Sequence, residues 1–564
     1  TPSGQVGGHC RRAESLDTSR SELWSFIPPA VLPLLKEQFT SRYYASPQFL
    51  LDGPVVVRNV PGKLFDGTNG RFLSRTKTDT IQPTTTRWYS ILVGSFGSYG
   101  GYYALDVSWP DPNTAPPMSG YSQGPRFLWQ LTTDIDGLPL FGDKSATPSI
   151  ATLYFKASGD TEPAEHTVAI LPGGMGGQPT NVGETVAYDK TSVDSRLTVR
   201  GTTRKWAPLN TTDSGVRTFN GARSLTIVRL DTGEVVRTLR FSAPSTPLDP
   251  ADKLAPTGLY TAGRITKAQF HAPINGRVIT YPSTVGTISD RAFVGDNDGR
   301  MWRLDLSSSD PAEWSAAMFF DAYPASGLGL DGKYAWQDAQ PLQTPPIVSV
   351  DPMGRVTLAF STGDQENPYL SAGKQLVWSL TERVDAINNK FTSYANWYLN
   401  EYNARNPLDA ISVSRMANGA RVFGPMTLFN STLYFTTYDP SSANANTCTA
   451  GQSFVWGVHY LNAGMAANVA ATDNPADGPV SAYDPTGAQN PALYTRYQLL
   501  GEGSIPFGVG VTQKPSCYTT SAASGDPFLG FGSHTTISSS SPAVYQLVIQ
   551  GGAKPWCRQS LLTS

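Results

Sequence analysis

Ala292-Phe293-Val294-Gly295-Asp296-Asn297-Asp298-Gly299-Arg300-Met301-Trp302-Arg303-Leu304-Asp305-Leu306 reads as two short strands joined by a tight turn. Apolar residues fill both arms. The four residues between them are turn formers, because Asp and Asn accept nearby backbone amides and Gly tolerates positive φ. Within the second arm the side chains alternate, placing Trp302 and Leu304 on one face and Arg303 and Asp305 on the other.

The end of this stretch, an aromatic or β-branched residue, a spacer and then Leu-Asp, recurs along the chain. Clear copies are Tyr103-Ala104-Leu105-Asp106 and Val228-Arg229-Leu230-Asp231-Thr232-Gly233; weaker ones are Trp378-Ser379-Leu380, Trp456-Gly457-Val458 and Tyr545-Gln546-Leu547. From Val228 onward the aromatic positions are 74, 76, 78 and 89 residues apart, after a first step of 125. Such near-constant spacing, longer than a compact propeller repeat, predicts blades carrying loop insertions. The predicted fold is therefore all-β, a β-propeller of about seven blades with long insertion loops, forming one domain over residues 1–564.

Composition agrees. The chain has 53 Gly, 44 Pro, 25 Tyr, 24 Phe and 12 Trp with 16% charged residues, which suits many short strands and tight turns. Segments at about 465–490 and 521–541 are loop-rich, and Pro29–Gln38 has the pattern of a short helix started by proline. Glu22-Leu23-Trp24-Ser25-Phe26 reads as an outer strand of a further blade. Val544–Val548 and Trp556-Cys557-Arg558 would complete that blade, closing the ring through both termini.

With 43 Lys plus Arg against 45 Asp plus Glu the formal charge is −2, and the basic residues are scattered, so nucleic acid is not an expected partner. No apolar run approaches the roughly 20 residues of a membrane helix, and the chain is expected not to span a membrane. Cys10, Cys448, Cys517 and Cys557 make no CxxC or CxxH pair. They disfavour zinc and fit an exported protein with up to two disulfides in any of three connectivities. If the termini share a blade, Cys10 would meet Cys557 and leave Cys448 for Cys517. The start at Thr1-Pro2-Ser3-Gly4 reads as a processed or truncated piece.

Several segments in order resemble the PilY (PilC) type IV pilus tip and biogenesis proteins. These are Glu22–Pro29, Asp52-Gly53-Pro54, Trp88–Gly94, Gly100–Val107, the Ala292–Leu306 hairpin, Ser361-Thr362-Gly363, Leu433–Thr437 with Cys448 downstream, and Lys554–Arg558. The resemblance implies an extracellular protein at the pilus tip or cell surface, exported through the periplasm. It would bind minor pilins, prime assembly, counter retraction and attach cells to host or abiotic surfaces. An export signal and an adhesive module would precede Thr1.

The resemblance also implies a calcium loop just before the hairpin, but Thr280–Asp290 offers only Asp290, too few oxygens for the six to eight that calcium takes. Neither a metal nor another cofactor is expected. Asp296-Asn297-Asp298-Gly299 is read as a turn rather than a metal loop, and Asp134, Asp136 and Asp143 around Gly137 likewise.

No catalytic residues are assigned. His9, His166, His271, His459 and His534 are dispersed, and no Gly-x-Ser-x-Gly or His-Glu-x-x-His occurs. Gly173-Gly174-Met175-Gly176-Gly177 lacks the Lys-Ser/Thr of a phosphate loop and reads as a flexible loop. Trp302, Trp378 and Trp456 are expected in the core; adhesive aromatics are expected among Tyr334, Trp336, Trp397 and Tyr398 in insertion loops. Two competing functions remain: a quinoprotein dehydrogenase, whose blades carry similar Leu-Asp patterns but which commonly has adjacent cysteines lacking here, and a glycan-binding propeller unrelated to pili.

Overall fold

The computed structural model describes residues 24–40, 50–65, 70–76, 86–113, 115–116, 119–132, 140–142, 144–175, 210–213, 216–219, 221–241, 264–270, 272–284, 286–323, 339–365, 375–385, 387, 390–399, 404–406, 409–413, 419–440, 451–461, 497–502, 505–513, 544–551 and 562–563. The architecture is all-β apart from short helical pieces, chiefly Pro29–Val31 and Leu32–Thr40, where the proline-started helix was expected.

The chain divides into two compact units, residues 26–422 with 439–441, and residues 1–25, 423–438 and 442–564. The larger unit holds four meanders. Sheet I is Val55–Lys63, Thr86–Ser95, Tyr102–Asp106 and Arg126–Leu131, and sheet II is Ser149–Phe155, Ala164–Pro172, Ser224–Arg229 and Val235–Phe241. Sheet III is Ile279–Tyr281, Arg291–Gly295, Arg300–Asp305 and Ser315–Asp321, and sheet IV is Ile347–Val350, Val356–Ser361, Val377–Val384 and Phe391–Leu399. Ile265–Ala268 adds in parallel to the outer edge of sheet II, and Ala404–Asn406 and Asp409–Val413 extend sheet IV. Both additions cover edges that would otherwise expose unpaired backbone groups.

The smaller unit contains most of sheet V, formed by Arg421–Phe429, Thr432–Asp439, Gln452–His459 and Tyr497–Glu502. It also contains sheet VI, formed by Pro506–Gln513, Val544–Gly551 and Leu562–Thr563.

The sequence signature occupies the third strand of every four-stranded meander: Tyr103 in sheet I, Val228 in II, Trp302 in III, Trp378 in IV and Trp456 in V. Tyr545 lies on the middle strand of the three-stranded sheet VI. In all five meanders the third and fourth strands shift register, at Ala104/Leu105, Ile227/Val228, Met301/Trp302, Ser379/Leu380 and Ser453/Phe454. A bulge at this place increases the local twist of each meander.

The faces alternate as the period of two requires. Val228 and Leu230 of sheet II pack with Ile91, Val93 and Tyr102 of sheet I. Trp302 and Leu304 of sheet III pack with Val168, Ile170 and Ile227 of sheet II. Trp378 and Leu380 of sheet IV pack with Phe293, Met301 and Phe319 of sheet III. In sheets II, III and IV the signature therefore faces the preceding sheet, and the other faces of sheets II and III receive the next. Four sheets stacked in this order are propeller-like, because the inner two, sheets II and III, each supply half of two separate cores.

Three expectations need correction. Trp24–Pro28, the described part of the expected Glu22–Phe26 strand and the residues after it, joins no sheet; instead the Phe26 ring packs on Tyr103 and Phe127, 5.7 and 5.8 Å between centroids. Trp397 and Tyr398 are not in an insertion loop: they lie on the fourth strand of sheet IV and are buried, because its register sets Tyr398 opposite Trp378. The Gly173-Gly174 part of the glycine run is a packed junction rather than a flexible loop; a Cβ at Gly173 would lie 2.4 Å from the Ala222 carbonyl oxygen.

Among the described residues no strand from the chain's beginning joins sheet VI, and no sheet closes on itself. Trp556–Arg558, all four cysteines and the two loop-rich segments lie outside the described residues. No helix among the described residues is long and apolar enough to cross a membrane.

Candidate functional site

In an antiparallel meander, the turn between strands two and three lies at the same end as the connection to the next sheet. Backbone hydrogen bonds stitch these segments together across the larger unit. The connection from sheet I to II donates from Ser145 N to Gly97 O in the turn of sheet I, and from Gly142 N to Gly173 O in sheet II. The next connection donates from Ile274 N to Ala222 O and accepts at Pro273 O from Asn297 N of sheet III. The third accepts at Pro341 O from Gly363 N of sheet IV, while its Leu342 N donates to Asp296 O of sheet III. The amides of Gly173 and Gly174 are spent in this belt, on Ser224 O and Ile274 O, which leaves them no role as a phosphate cradle.

Asp296 is the polar centre of the belt. Its Oδ1 accepts from Asp298 N at 2.8 Å and Arg300 N at 3.0 Å, and its Oδ2 accepts from the Trp302 indole at 2.8 Å. This is the turn expected from the sequence, folded around one carboxylate, but Asp296, Asn297 and Asp298 are buried rather than surface residues. Burial raises the Asp296 pKa to about 6, reinforced by the neighbouring Asp298 charge and opposed by Arg300. Asp290, the remaining carboxylate of the degenerate calcium position, is paired with Arg291 at 2.8 Å.

The opposite end of sheets II and III carries a cleft of about 200 Å³ lined by Phe155–Ser158, Arg229, Glu234, Val236, Arg237, Arg264 and Asp310–Ala312. Several of its charges are matched within the protein. Arg264 bonds Glu234 at 2.8 Å, Arg71 reaches the same carboxylate at 3.2 Å, and Arg229 pairs with Asp231 at 3.1 Å. Arg237 donates to Thr266 Oγ1 and to the Ala312 carbonyl.

Behind this wall sits His166. Its Nδ1 accepts from Arg229 Nη1 at 3.0 Å, which assigns the ring proton to Nε2, 2.9 Å from Asp160 Oδ2. Burial first, and Arg229 second, hold its pKa down at about 4 against the pull of Asp160. Both ring nitrogens face protein groups, so the neutral imidazole has no lone pair for a bound molecule. Sequence spacing missed this constellation, because Asp160, His166 and Arg229 come from three different strands or turns.

His459 is likewise structural: burial lowers its pKa, and its Nδ1 accepts from Leu461 N at 3.3 Å. Trp302, Trp378 and Trp456 are buried as expected. Asp134, Asp136, Asp143, His9, His271, His534, Tyr334 and Trp336 lie outside the described residues.

No family model and no curated protein sequence matches the chain. Among solved structures the chain is similar to the Pseudomonas aeruginosa PilY1 C-terminal domain, at 13% identity and a TM-score of 0.46, covering 97% of this chain and 89% of that one. It is also similar to Saccharomyces cerevisiae Sqt1, at 6% identity and a TM-score of 0.25, covering 65% of each chain. Moraxella catarrhalis BamB aligns at 10% identity and a TM-score of 0.22, covering 61% of this chain and 66% of that one. The propeller-like architecture rests on the strand pairings and shared cores described above.

Proposed function

We propose that the chain is a non-enzymatic, exported propeller domain of a pilus-associated protein, acting at the pilus tip by binding minor pilins and presenting loops for attachment to a surface. In this reading residues 1–564 form one ring of about seven blades closed by both termini. The carrying observation is the ordered series of PilY-like segments. Two of them, Gly100–Val107 and Ala292–Leu306, contribute the same third strand to sheets I and III. The non-enzymatic part is supported by His166, whose ring is enclosed by Arg229 and Asp160.

The test is deletion of the gene together with affinity capture of the chain from piliated cells. Loss of surface pili and co-purification of minor pilins are expected. Normal piliation with no pilin captured would remove the reading, as would specific dehydrogenase turnover after reconstitution with quinone and calcium. Non-reducing peptide mapping tests the exported state, where Cys10–Cys557 and Cys448–Cys517 are expected.

A further inference from the structure

Two arginines, Arg58 on the first strand of sheet I and Arg277 just before the first strand of sheet III, have no carboxylate partner among the described residues. Arg58, on the first strand of sheet I, donates from Nη1 to Ile150 O on the first strand of sheet II and from Nη2 to Ser283 O beyond the first strand of sheet III, the latter at 2.6 Å. Both acceptors are neutral carbonyls. The same stretch of sheet II binds sheet III through Ser149 Oγ, which donates to Val278 O. Arg277 immediately precedes Val278, and its Nε is buried with no hydrogen-bond partner among the described residues.

Burial lowers the pKa of both guanidiniums, and the charge of Arg277 adds to the effect on Arg58. Arg58 has a structural use as a clamp across three sheets. Arg277 has no such use. A guanidinium is a planar five-donor group that stays charged, and leaving it partly desolvated beside a second cation is unfavourable unless an anion joins it.

We propose that Arg277, with Arg58 beside it, forms a binding site for a small oxyanion, such as a carboxylate or sulfate group, at the first strands of sheets I to III. Arg277 supplies the donors that recognise the ligand, and Arg58 adds field while keeping its carbonyl bonds. This site is separate from the Arg229–His166 network, whose cations each have a carboxylate or ring nitrogen. It does not depend on the proposed pilus function.

The experiment is calorimetric titration of the full 564-residue chain with sodium sulfate and, separately, with sodium glucuronate, at constant ionic strength in chloride. Both arms use wild type, Arg277→Met and Arg277→Lys. Saturable binding of at least one anion is expected, weakened at least tenfold in Arg277→Met and less in Arg277→Lys. Sulfate binding identifies a free oxyanion as sufficient, whereas glucuronate alone identifies a sugar acid. In chloride, Arg277→Met should unfold at the same urea concentration as wild type or higher, since an uncompensated charge has been removed. Absence of saturable binding of both anions overturns the proposal, as does binding that Arg277→Met leaves intact. A lower urea midpoint for Arg277→Met in chloride also overturns it, because a carboxylate of the chain would then already compensate Arg277.

Discussion

Asp296–Arg300 and Asp351–Arg355 fold into the same five-residue turn in sheets III and IV. In each, the aspartate Oδ1 accepts from the amides two and four residues on: 2.8 and 3.0 Å for Asp296, 2.9 and 2.8 Å for Asp351. In each, the aspartate N–H donates to the arginine carbonyl, and the fourth residue is a glycine at positive φ, 77° for Gly299 and 78° for Gly354. The middle residues differ, Asn-Asp in one and Pro-Met in the other. The turn therefore does not need a second acid.

The surroundings then push the two carboxyls in opposite directions. Asp296 gives its second oxygen to the buried Trp302 indole, and burial lifts its pKa to about 6. Burial also pushes the Asp351 pKa up, but the Arg355 amide and guanidinium, the latter at 2.7 Å from Oδ2, and the Met353 amide outweigh it and leave the pKa below its usual value. Identical local chemistry thus gives different electrostatics, because burial dominates at Asp296 whereas the Arg355 and Met353 hydrogen bonds and the Arg355 charge outweigh it at Asp351.

The largest test of this contrast is Asp296→Ala beside Asp351→Ala. The first strands the amides of Asp298 and Arg300 and the Trp302 indole in the interior and should cost about 3 kcal/mol or more; the second frees amides near solvent and should cost about 1 kcal/mol. Urea unfolding midpoints measure both, and equal losses would break the contrast. Next comes Gly299→Ala against Gly354→Ala. Both pay about 1 kcal/mol for positive φ, but a Cβ at Gly299 would lie 2.6 Å from the Tyr323 ring while one at Gly354 meets nothing within 4 Å. Gly299→Ala should therefore be the more destabilising by at least another 1 kcal/mol or so.

Trp302→Phe and Trp378→Phe sharpen the point at the repeat position itself. Trp302 stacks edge-on to Phe270 and bonds Asp296, whereas Trp378 packs against Phe320 and Tyr398 with its Nε1 lacking a hydrogen-bond partner among the described residues. The first substitution should cost about 1–3 kcal/mol and the second less, since only the first leaves a buried acceptor short of a donor. Thermal unfolding of both variants decides it.

The smallest effect is in pH dependence. A raised carboxyl pKa means that the folded state holds the proton longer, so the Asp296 contribution is greatest below the ordinary carboxylate range and is lost as pH rises through about 6. Asp351 runs the other way: its contribution is present above the ordinary range and is lost as pH falls. Relative to wild type, Asp296→Asn should gain stability between pH 4 and 7, and the deficit of Asp351→Asn should shrink as pH falls from 7 towards 3. Urea midpoints across that range test both signs.

The repeats were legible because burial on one face imposes a period of two on each strand, and an aromatic followed by Leu-Asp marks the third strand wherever it falls. The same pattern foretold that Trp302 and Leu304 share a face, and the turn chemistry of Asp296–Gly299. Trp397 and Tyr398 misled because an aromatic pair far from a recognised copy looks like an insertion, although it pairs with Trp378 across the sheet. The hidden parts are those with long sequence separation. His166 meets Arg229 across 63 residues, and Arg58 reaches Ser283 across 225.

By itself, then, the sequence determined the class of structure, the repeat and the local turns, since these depend on residues a few positions apart. Only the tertiary structure decided which carboxyl is raised and which lowered, and which arginine is left without a counter-charge. Those outcomes depend on desolvation and on partners brought from other sheets, and neither is written in the spacing of neighbouring residues.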